Sequence, residues 1–207
     1  GDSGEGSPGQ VQLAQQVSRE RPSLVLHAGD LAYYDGSFQQ FRANYFDRYP
    51  IMRRVPFFPA PGNHEYLSAD AAPYRALHSV PSVNVPESDW GRYYSFDWSN
   101  VHFVSLDSNV SLERSAAGEG EMLRWLEDDL GSTRQFWRVV FFHHPPYASG
   151  PNERDFRSAL AREHIVPILE RHGVQVVFSG HEHSYQRTLA IREGVPSRDG
   201  TGITYFT

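Results

Sequence analysis

The chain has 207 residues, 39% of them hydrophobic and 14% aromatic, which is enough to bury a core and argues against disorder. Its net charge of −6 argues against a nucleic-acid binder or a membrane-surface binder, because both need a basic surface. The absence of cysteine and lysine excludes disulfides, thiolate metal sites, a cysteine nucleophile, and phosphate loops or Schiff bases that depend on lysine.

The first half of the chain alternates predicted helices with short buried strands. Residues 10–20 have helical spacing, and residues 23–28 form an apolar run that is typical of a buried parallel strand. Residues 38–52 predict a helix rich in aromatic side chains, and residues 55–60 predict a second strand. Several prolines in residues 69–89 predict an irregular surface excursion.

The second half begins with a predicted hairpin, whose strands at 92–97 and 101–107 flank a turn at 98–100. The remaining predicted elements are a helix at 119–130, a strand at 138–142, a helix at 156–172, a strand at 174–178 and a strand at 202–207. Gly131 and Gly173 are predicted to end the two helices. This alternation predicts an α/β fold with a largely parallel sheet at its core.

Polar clusters lie just past the carboxyl ends of most predicted strands. They are Gly29-Asp30, Gly62-Asn63-His64-Glu65, His143-His144 and Gly180-His181-Glu182-His183. Singly, each has an ordinary structural explanation, such as a turn aspartate or a core histidine. Together they offer oxygen and imidazole ligands without thiolate at the edge where α/β sheets bind ligands, which favours Zn, Mn, Fe or Ni. The groups exceed the needs of one ion, so we expect two metals about 3.5–4 Å apart sharing a carboxylate.

Five short blocks follow one another in a fixed order along nearly the whole chain. They are Gly1-Asp2-Ser3-Gly4, Gly29-Asp30-Leu31-Ala32-Tyr33, Gly62-Asn63-His64-Glu65, Phe142-His143-His144-Pro145 and Gly180-His181-Glu182-His183. Together they resemble the blocks of calcineurin-like metallophosphoesterases, and of purple acid phosphatases in particular, because a tyrosine stands three residues after Asp30. The resemblance implies a sandwich of two mixed β-sheets flanked by helices. It also implies a single catalytic domain over residues 1–207, truncated at both ends.

The resemblance further implies two metal sites that share the carboxylate of Asp30. The first would comprise Asp2, Asp30, Tyr33 and His183, and the second would be completed by Asn63, His143 and His181. A phenolate ligand needs a strongly Lewis-acidic ion, because the unperturbed pKa of tyrosine is about 10. The implied metals are therefore Fe(III) beside Tyr33 and Zn, Fe or Mn at the second site.

Asn63 and His64 are the residues expected to act in catalysis. The metals would supply a hydroxide for in-line attack at phosphorus, with Asn63 as a ligand. His64 would contact the phosphate or protonate the leaving oxygen. Purple acid phosphatases often carry a further histidine after the fourth block, and residues 147–153 contain none. This departure leaves leaving-group protonation and substrate preference open.

Four other polar residues have expected roles around the site. Glu65 is expected to orient a histidine. His144 suits packing or a substrate contact equally well. Asp107 suits either a brace for the site or an ordinary turn. Arg187, which follows the last block, is expected to be a structural partner rather than a phosphate clamp.

The implied function is hydrolysis of phosphate esters, with small monoesters as the first expected substrates and diesters as their rivals. No nucleic-acid or membrane partner is expected, and the sequence does not give the oligomeric state. Two alternatives remain open at this point. One is a non-catalytic metal-binding or partner-binding domain that retains the ligands, and the other is a mononuclear metal hydrolase of carbon esters. The resemblance implies an extracellular or periplasmic location.

Overall fold

Two sheets form the centre of the computed structural model, which describes all residues from Gly1 to Thr207. The first sheet consists of β1 (Val25–His27) and β2 (Phe57–Pro59), which pair in parallel. This sheet is purely parallel rather than mixed, because no other strand pairs with these two.

The second sheet has five strands. In chain order, the remaining strands are β3 (Tyr94–Trp98), β4 (Val101–Ser105), β5 (Trp137–Phe141), β6 (Val176–Phe178), β7 (Ile191–Arg192), β8 (Val195–Pro196) and β9 (Thr204–Phe206). The order in the second sheet is β3-β4-β5-β6-β9, while β7 and β8 form a separate short pair. Only β3 runs antiparallel to its neighbour, so the carboxyl ends of β4, β5, β6 and β9 meet at one edge. The predicted largely parallel core is confirmed.

Seven short helices cover the sheets. They are α1 (Pro8–Arg19), α2 (Phe38–Gln40), α3 (Ala72–Leu77), α4 (Val110–Ala116), α5 (Met122–Ser132), α6 (Phe156–Leu160) and α7 (Val166–Arg171). A π-helical turn joins α6 to α7, and Gly173 adopts a φ of +63° just after them, so the predicted helix over 156–172 is confirmed. None of the helices has the length and apolar composition that crossing a membrane requires.

The structure corrects three predicted elements. The helix predicted over 38–52 continues from α2 through a π-helical turn only to Phe46, because Pro50, which has no N–H, begins a separate 3-10 turn. Gly131 does not end α5, since the backbone N–H of Thr133 still bonds to the carbonyl of Asp129. The irregular region predicted over 69–89 contains α3. The helix α4 falls where the sequence pattern predicts none.

The main hydrophobic core lies between the second sheet and helices α5 and α7. Leu126 of α5, Leu169 of α7 and Val140 of β5 belong to one cluster and are fully buried. Burying such a side chain stabilises the fold by about 1.5–3 kcal/mol. A smaller cluster of aromatic and alanine side chains, including Phe41 and Tyr45, packs around the loop that follows β1. These two clusters fix the strand ends from which the polar groups project.

Candidate metal centre

All seven predicted ligand side chains converge past the ends of β1, β2, β5 and β6. Three of them have backbones in the left-handed region, with φ of +58° at Asp2, +55° at Asp30 and +68° at His181. Such conformations are uncommon outside glycine and persist where surrounding contacts enforce them. Here the Asp2 carboxylate accepts hydrogen bonds from the backbone N–H of His181 at 3.0 and 2.9 Å. The first and last blocks of the chain therefore meet directly.

The four residues predicted for the first metal meet at the phenol oxygen of Tyr33. This oxygen lies 3.3 Å from Asp2 Oδ1 and 3.1 Å from Asp30 Oδ2. It also lies 3.2 Å from His183 Nε2. Three oxygen groups and one imidazole nitrogen thus face one another within hydrogen-bond distance, as a mixed oxygen and nitrogen cation site requires.

The residues predicted for the second metal meet at the side-chain oxygen of Asn63. Its Oδ1 lies 2.9 Å from His143 Nε2 and 3.1 Å from His181 Nδ1. The two groups of residues are joined through Asp30, whose Oδ2 lies 3.3 Å from His143 Nε2. The arrangement therefore places the Asp30 carboxylate between the two groups, where a shared ligand would have to stand.

The hydrogen bonds of His143 show that a positive charge belongs among these groups. Its Nδ1 lies 2.8 Å from the carbonyl oxygen of Ala28, which only accepts, so Nδ1 carries a proton. Its Nε2 faces the oxygens of Asn63 and Asp30. Burial disfavours the imidazolium, but the Asp30 carboxylate outweighs burial and raises the pKa of His143 to about 9. The space beyond Nε2 thus suits either a proton or a metal ion.

The pKa values of Asp30 and Tyr33 are shifted in opposite directions. Burial opposes ionisation of Asp30, but the charge of His143 outweighs it and holds the pKa of Asp30 below its usual range. Burial, followed by the charges of Asp30 and Asp2, raises the pKa of Tyr33 far above its usual value. Forming a phenolate here therefore requires a strongly charged cation, and the donor set fits such an ion.

Glu65 ties together the loops that follow β1 and β2. Its Oε2 accepts from the backbone N–H of Asp30 at 2.9 Å and of Gly62 at 2.7 Å. Its Oε1 accepts from Leu31 at 2.8 Å and from Ala32 at 3.3 Å. The prediction that Glu65 orients a histidine is wrong, because all its hydrogen bonds go to backbone amides. Burial and the charge of Asp30 raise the pKa of Glu65 to about 7.

Gly62 allows these two loops to approach each other closely. A Cβ at this position would lie 2.2 Å from Asp30 Oδ1 and 2.4 Å from the Asp30 backbone nitrogen. Real Cβ atoms do not approach other atoms so closely, and the backbone nitrogen of Asp30 could not move aside as the end of a flexible side chain could. A glycine is thus required at this position for Asp30 to keep its place.

His64 lies beside the predicted ligands and not among them. Its backbone N–H donates to Asp30 Oδ1 at 3.0 Å, and its Nδ1 lies 2.5 Å from the carbonyl oxygen of Tyr34. That carbonyl only accepts, so Nδ1 carries a proton and Nε2 is left free, 3.8 Å from Asp30 Oδ2. The side chain is 25% exposed. A substrate can therefore reach Nε2 next to the metal groups.

His144 points away from solvent and contacts another histidine. It is fully buried, and its Nδ1 lies 2.8 Å from the Ser108 hydroxyl. Its ring centre lies 4.5 Å from that of His181. Burial, followed by the charges of His143 and His181, holds the pKa of His144 well below its usual value. Its Nε2 is buried without a hydrogen-bond partner, and His143, His144 and His181 each offer a nitrogen within 4.8 Å of the others, so the role of His144 stays open.

Asp107 and Arg187 have structural partners. Asp107 is fully buried and accepts from the Tyr66 hydroxyl at 2.6 Å and the Asn109 backbone N–H at 2.9 Å. Since Tyr66 follows Glu65, this bond braces the loop after β2. Arg187 lies over the ring of Phe206 at 5.5 Å and bridges its backbone. Neither residue contacts the predicted ligands through a hydrogen bond or ion pair.

Sequence reasoning overlooks Asp155, whose Oδ2 lies 3.4 Å from His181 Nε2. The residue stands directly before α6, and its Oδ1 accepts from the Arg157 backbone N–H at 2.8 Å. In the sequence it reads as an ordinary helix-capping aspartate. Its position before a predicted helix was the only available signal, and that signal does not point to the metal groups.

Comparisons with known proteins identify the family of the chain. The family model described as calcineurin-like phosphoesterase matches residues 1–185. Acid phosphatase type 7 of Mus musculus is 28% identical over 92% of this chain and 47% of its own length. Purple acid phosphatase 18 of Arabidopsis thaliana is 28% identical over 89% of this chain and 42% of its own length. The chain thus spans less than half the length of these relatives.

A solved structure supports the fold. Purple acid phosphatase PPD1 from yellow lupin (Lupinus luteus) seeds superposes with a TM-score of 0.77 at 23% sequence identity. The match covers 96% of this chain and 39% of the lupin chain. The predicted α/β architecture with sheets and flanking helices is therefore confirmed. The metal roles of the individual residues stay predictions.

Proposed function

Because the chain belongs to the calcineurin-like phosphoesterase family, we propose that it hydrolyses phosphate esters at a dinuclear metal centre. Small phosphomonoesters are the proposed substrates, and phosphodiesters are the nearest rivals. The observation that carries the proposal is the convergence of two ligand groups on Asp30, one at the Tyr33 phenol oxygen and one at Asn63 Oδ1. The family and its acid phosphatase relatives support the reaction class.

The proposed first metal is Fe(III), and the second is Zn, Fe or Mn. The first would be held by Asp2, Asp30, Tyr33 and His183, and the second by Asp30, Asn63, His143 and His181. A phenolate at Tyr33 would stand within hydrogen-bond distance of the carboxylates of Asp2 and Asp30, so as a ligand it requires a strongly charged ion. When bound, two such ions polarise phosphoryl oxygens and acidify a coordinated water.

His64 is the proposed proton donor to the leaving oxygen. Its Nδ1–H is used by the Tyr34 carbonyl, so Nε2 carries a proton only in the imidazolium form. That form would attract the phosphate dianion and then donate the Nε2 proton to the departing alkoxide. The backbone N–H of His64 donates to Asp30 Oδ1, which keeps the imidazole next to the shared carboxylate.

The test combines metal analysis with a panel of chromogenic phosphate monoesters, phosphate diesters and carbon esters. The expected result is two metals per chain and faster hydrolysis of the monoester. One metal per chain with carbon-ester hydrolysis would instead identify a mononuclear hydrolase. Two metals without turnover from acid to alkaline pH would identify a non-catalytic metal-binding domain.

Tyr33→Phe tests the first metal separately. Iron-loaded protein is expected to show a visible phenolate-to-iron absorption band, and the variant is expected to lose it. A band that survives in Tyr33→Phe would overturn the assignment of iron to this residue.

The proposed location is extracellular or periplasmic, as for the family branch that the chain resembles. The measurement that checks it is fractionation of the source cells.

A further inference from the structure

The loop before α6 is bound to the segment that carries His181. The Asn152 backbone N–H donates to Glu182 Oε2 at 2.9 Å, and its side-chain amide donates to the His181 carbonyl oxygen at 2.9 Å. At Gly150, a Cβ would lie 2.3 Å from Glu182 Oε1, so the two segments are in close contact. The residues at the end of this loop, directly before α6, are therefore held close to His181.

The loop ends in Asp155, whose two carboxylate oxygens have different surroundings. Oδ1 accepts from the Arg157 backbone N–H at 2.8 Å and caps α6. Oδ2 lies 3.4 Å from His181 Nε2. The capping function needs only one oxygen, and a serine hydroxyl supplies it equally well. The second oxygen is therefore surplus to the helix and faces the imidazole.

The ring of His181 is held between these groups and the predicted second metal site. Its Nδ1 lies 3.1 Å from Asn63 Oδ1, while its Nε2 is buried without a hydrogen-bond partner and lies 3.4 Å from Asp155 Oδ2. The ring of His144 packs on it at 4.5 Å. The backbone of His181 is in the left-handed region, with φ at +68°. One nitrogen thus points towards the ligand groups and the other towards Asp155.

We propose that Asp155 is a positioning residue for the second metal, acting through His181. With a metal bound at Nδ1, Oδ2 would accept the proton on His181 Nε2 and so keep the lone pair of Nδ1 directed at the metal groups. Carboxylates in this relation fix the tautomer and orientation of a histidine ligand and increase its basicity. The inference rests on the proposed dinuclear function and adds a residue outside the family blocks.

Two variants separate the roles of Asp155. Asp155→Ser keeps a capping hydroxyl but removes the oxygen that faces His181. Asp155→Asn keeps the cap and a neutral acceptor. Loss of such a partner typically weakens metal binding about 10–100-fold, so we expect that loss at the second site in Asp155→Ser and a smaller one in Asp155→Asn. Asp128→Ser, an exposed position of α5, is the matched control for the lost charge.

The measurement is competition between the protein and a chelator for Zn(II), using protein that already holds iron at the first site. The expected result is weaker Zn(II) binding in Asp155→Ser, with the visible iron band and the melting temperature unchanged. Equal Zn(II) affinity in wild type and Asp155→Ser would overturn the role. Equal losses at both metal sites together with a lower melting temperature would also overturn it, because Asp155 would then be only a structural cap.

The same titration distinguishes this inference from the proposed function. A wild-type chain that binds no second metal overturns the dinuclear site itself. A wild-type chain with two metals and an unaffected Asp155→Ser overturns only the positioning role. His181→Ala should lose the second metal in either case where the site exists, and it provides the reference for complete loss.

Discussion

Two clusters of acidic residues and histidine lie at opposite ends of the second sheet and balance their charges differently. At the candidate metal centre, past the strand ends, the oxygens of Asp2, Asp30 and Tyr33 converge. Near the start of β4, the buried His102 stands between two carboxylates. Its Nδ1 lies 2.7 Å from Asp97 Oδ1, and its Nε2 lies 2.8 Å from Asp129 Oδ2.

The difference separates a structural cluster from a binding site. Both nitrogens of His102 face carboxylates that only accept, so a single imidazolium satisfies both partners and the cluster is complete. At the metal centre the acceptors outnumber the protons that the side chains can supply. We therefore expect a cation to complete that cluster from outside. Acidic residues and histidines are present in both places, so composition alone does not distinguish them.

The largest expected effect follows from removing the shared negative charge. Asp30→Asn keeps the size of the side chain and an acceptor for the His64 backbone N–H, but it cannot bridge two cations. We expect turnover to be abolished and metal content to fall from two per chain to one or none, measured by elemental analysis. The matched change in the complete cluster, Asp97→Asn, should leave both quantities unchanged. Metal loss in Asp97→Asn would break the comparison.

The next effect concerns chemistry without metal loss. His64→Ala is expected to lower turnover about 10²–10⁴-fold, the usual contribution of a positioned general acid. Metal content should stay at the wild-type value, because His64 stands outside the two ligand groups. Turnover and elemental analysis on the same preparation provide the check. A parallel loss of both would make His64 part of the metal site.

Metal binding should stabilise the folded protein, and it should do so through the candidate metal centre and not through the His102 cluster. An ion that binds the folded state alone adds about 2.7 kcal/mol to the free energy of unfolding when its free concentration is 100 times its Kd. Urea denaturation with metal and with chelator measures this increment. The same increment is expected in His102→Gln, because His102 lies at the end of the second sheet opposite the candidate metal centre. An increment that disappears in that variant would show that the two clusters are coupled.

The smallest effect is a pH-dependent contribution of His102. Burial disfavours its charge, but the hydrogen bonds to Asp129 and Asp97 outweigh burial, so the pKa of His102 is raised. A raised pKa adds stability that is fully present below pH about 6.5 and is lost as the pH rises through the folded-state value. His102→Gln should therefore cost about 2 kcal/mol at acid pH and less at alkaline pH. A difference that is constant with pH would contradict an imidazolium.

Much of the candidate site could be predicted because its residues occupy strand ends. Asp30, Asn63 and His143 each follow a run of apolar residues, and parallel strands bring their carboxyl ends to one edge. The partner of Glu65 could not be predicted, because a carboxylate looks the same in sequence whether it binds an imidazole or backbone amides. Asp155 was hidden for a similar reason, since a helix cap accounts for it fully.

The fold was predicted best where periodicity alone decides. The apolar runs at β5 and β6 identify buried strands, because their side chains pack on both faces. The helix predicted over 38–52 stops at Phe46, because Pro50 has no backbone N–H and begins a separate 3-10 turn. The two carboxylate partners of His102 could not be predicted from sequence spacing either, because a lone histidine within a strand does not indicate which distant residues contact it.

The four hydrogen bonds that Glu65 accepts from backbone amides have a consequence for motion at the candidate metal centre. The loops after β1 and β2 are joined by one buried carboxylate, that of Glu65. It accepts hydrogen bonds from the backbone amides of Asp30, Leu31, Ala32 and Gly62. Opening either loop breaks the same anchor, so the two should open as one cooperative unit. In native-state hydrogen exchange, these amides would then share a single opening free energy and exchange with deuterium at correlated rates.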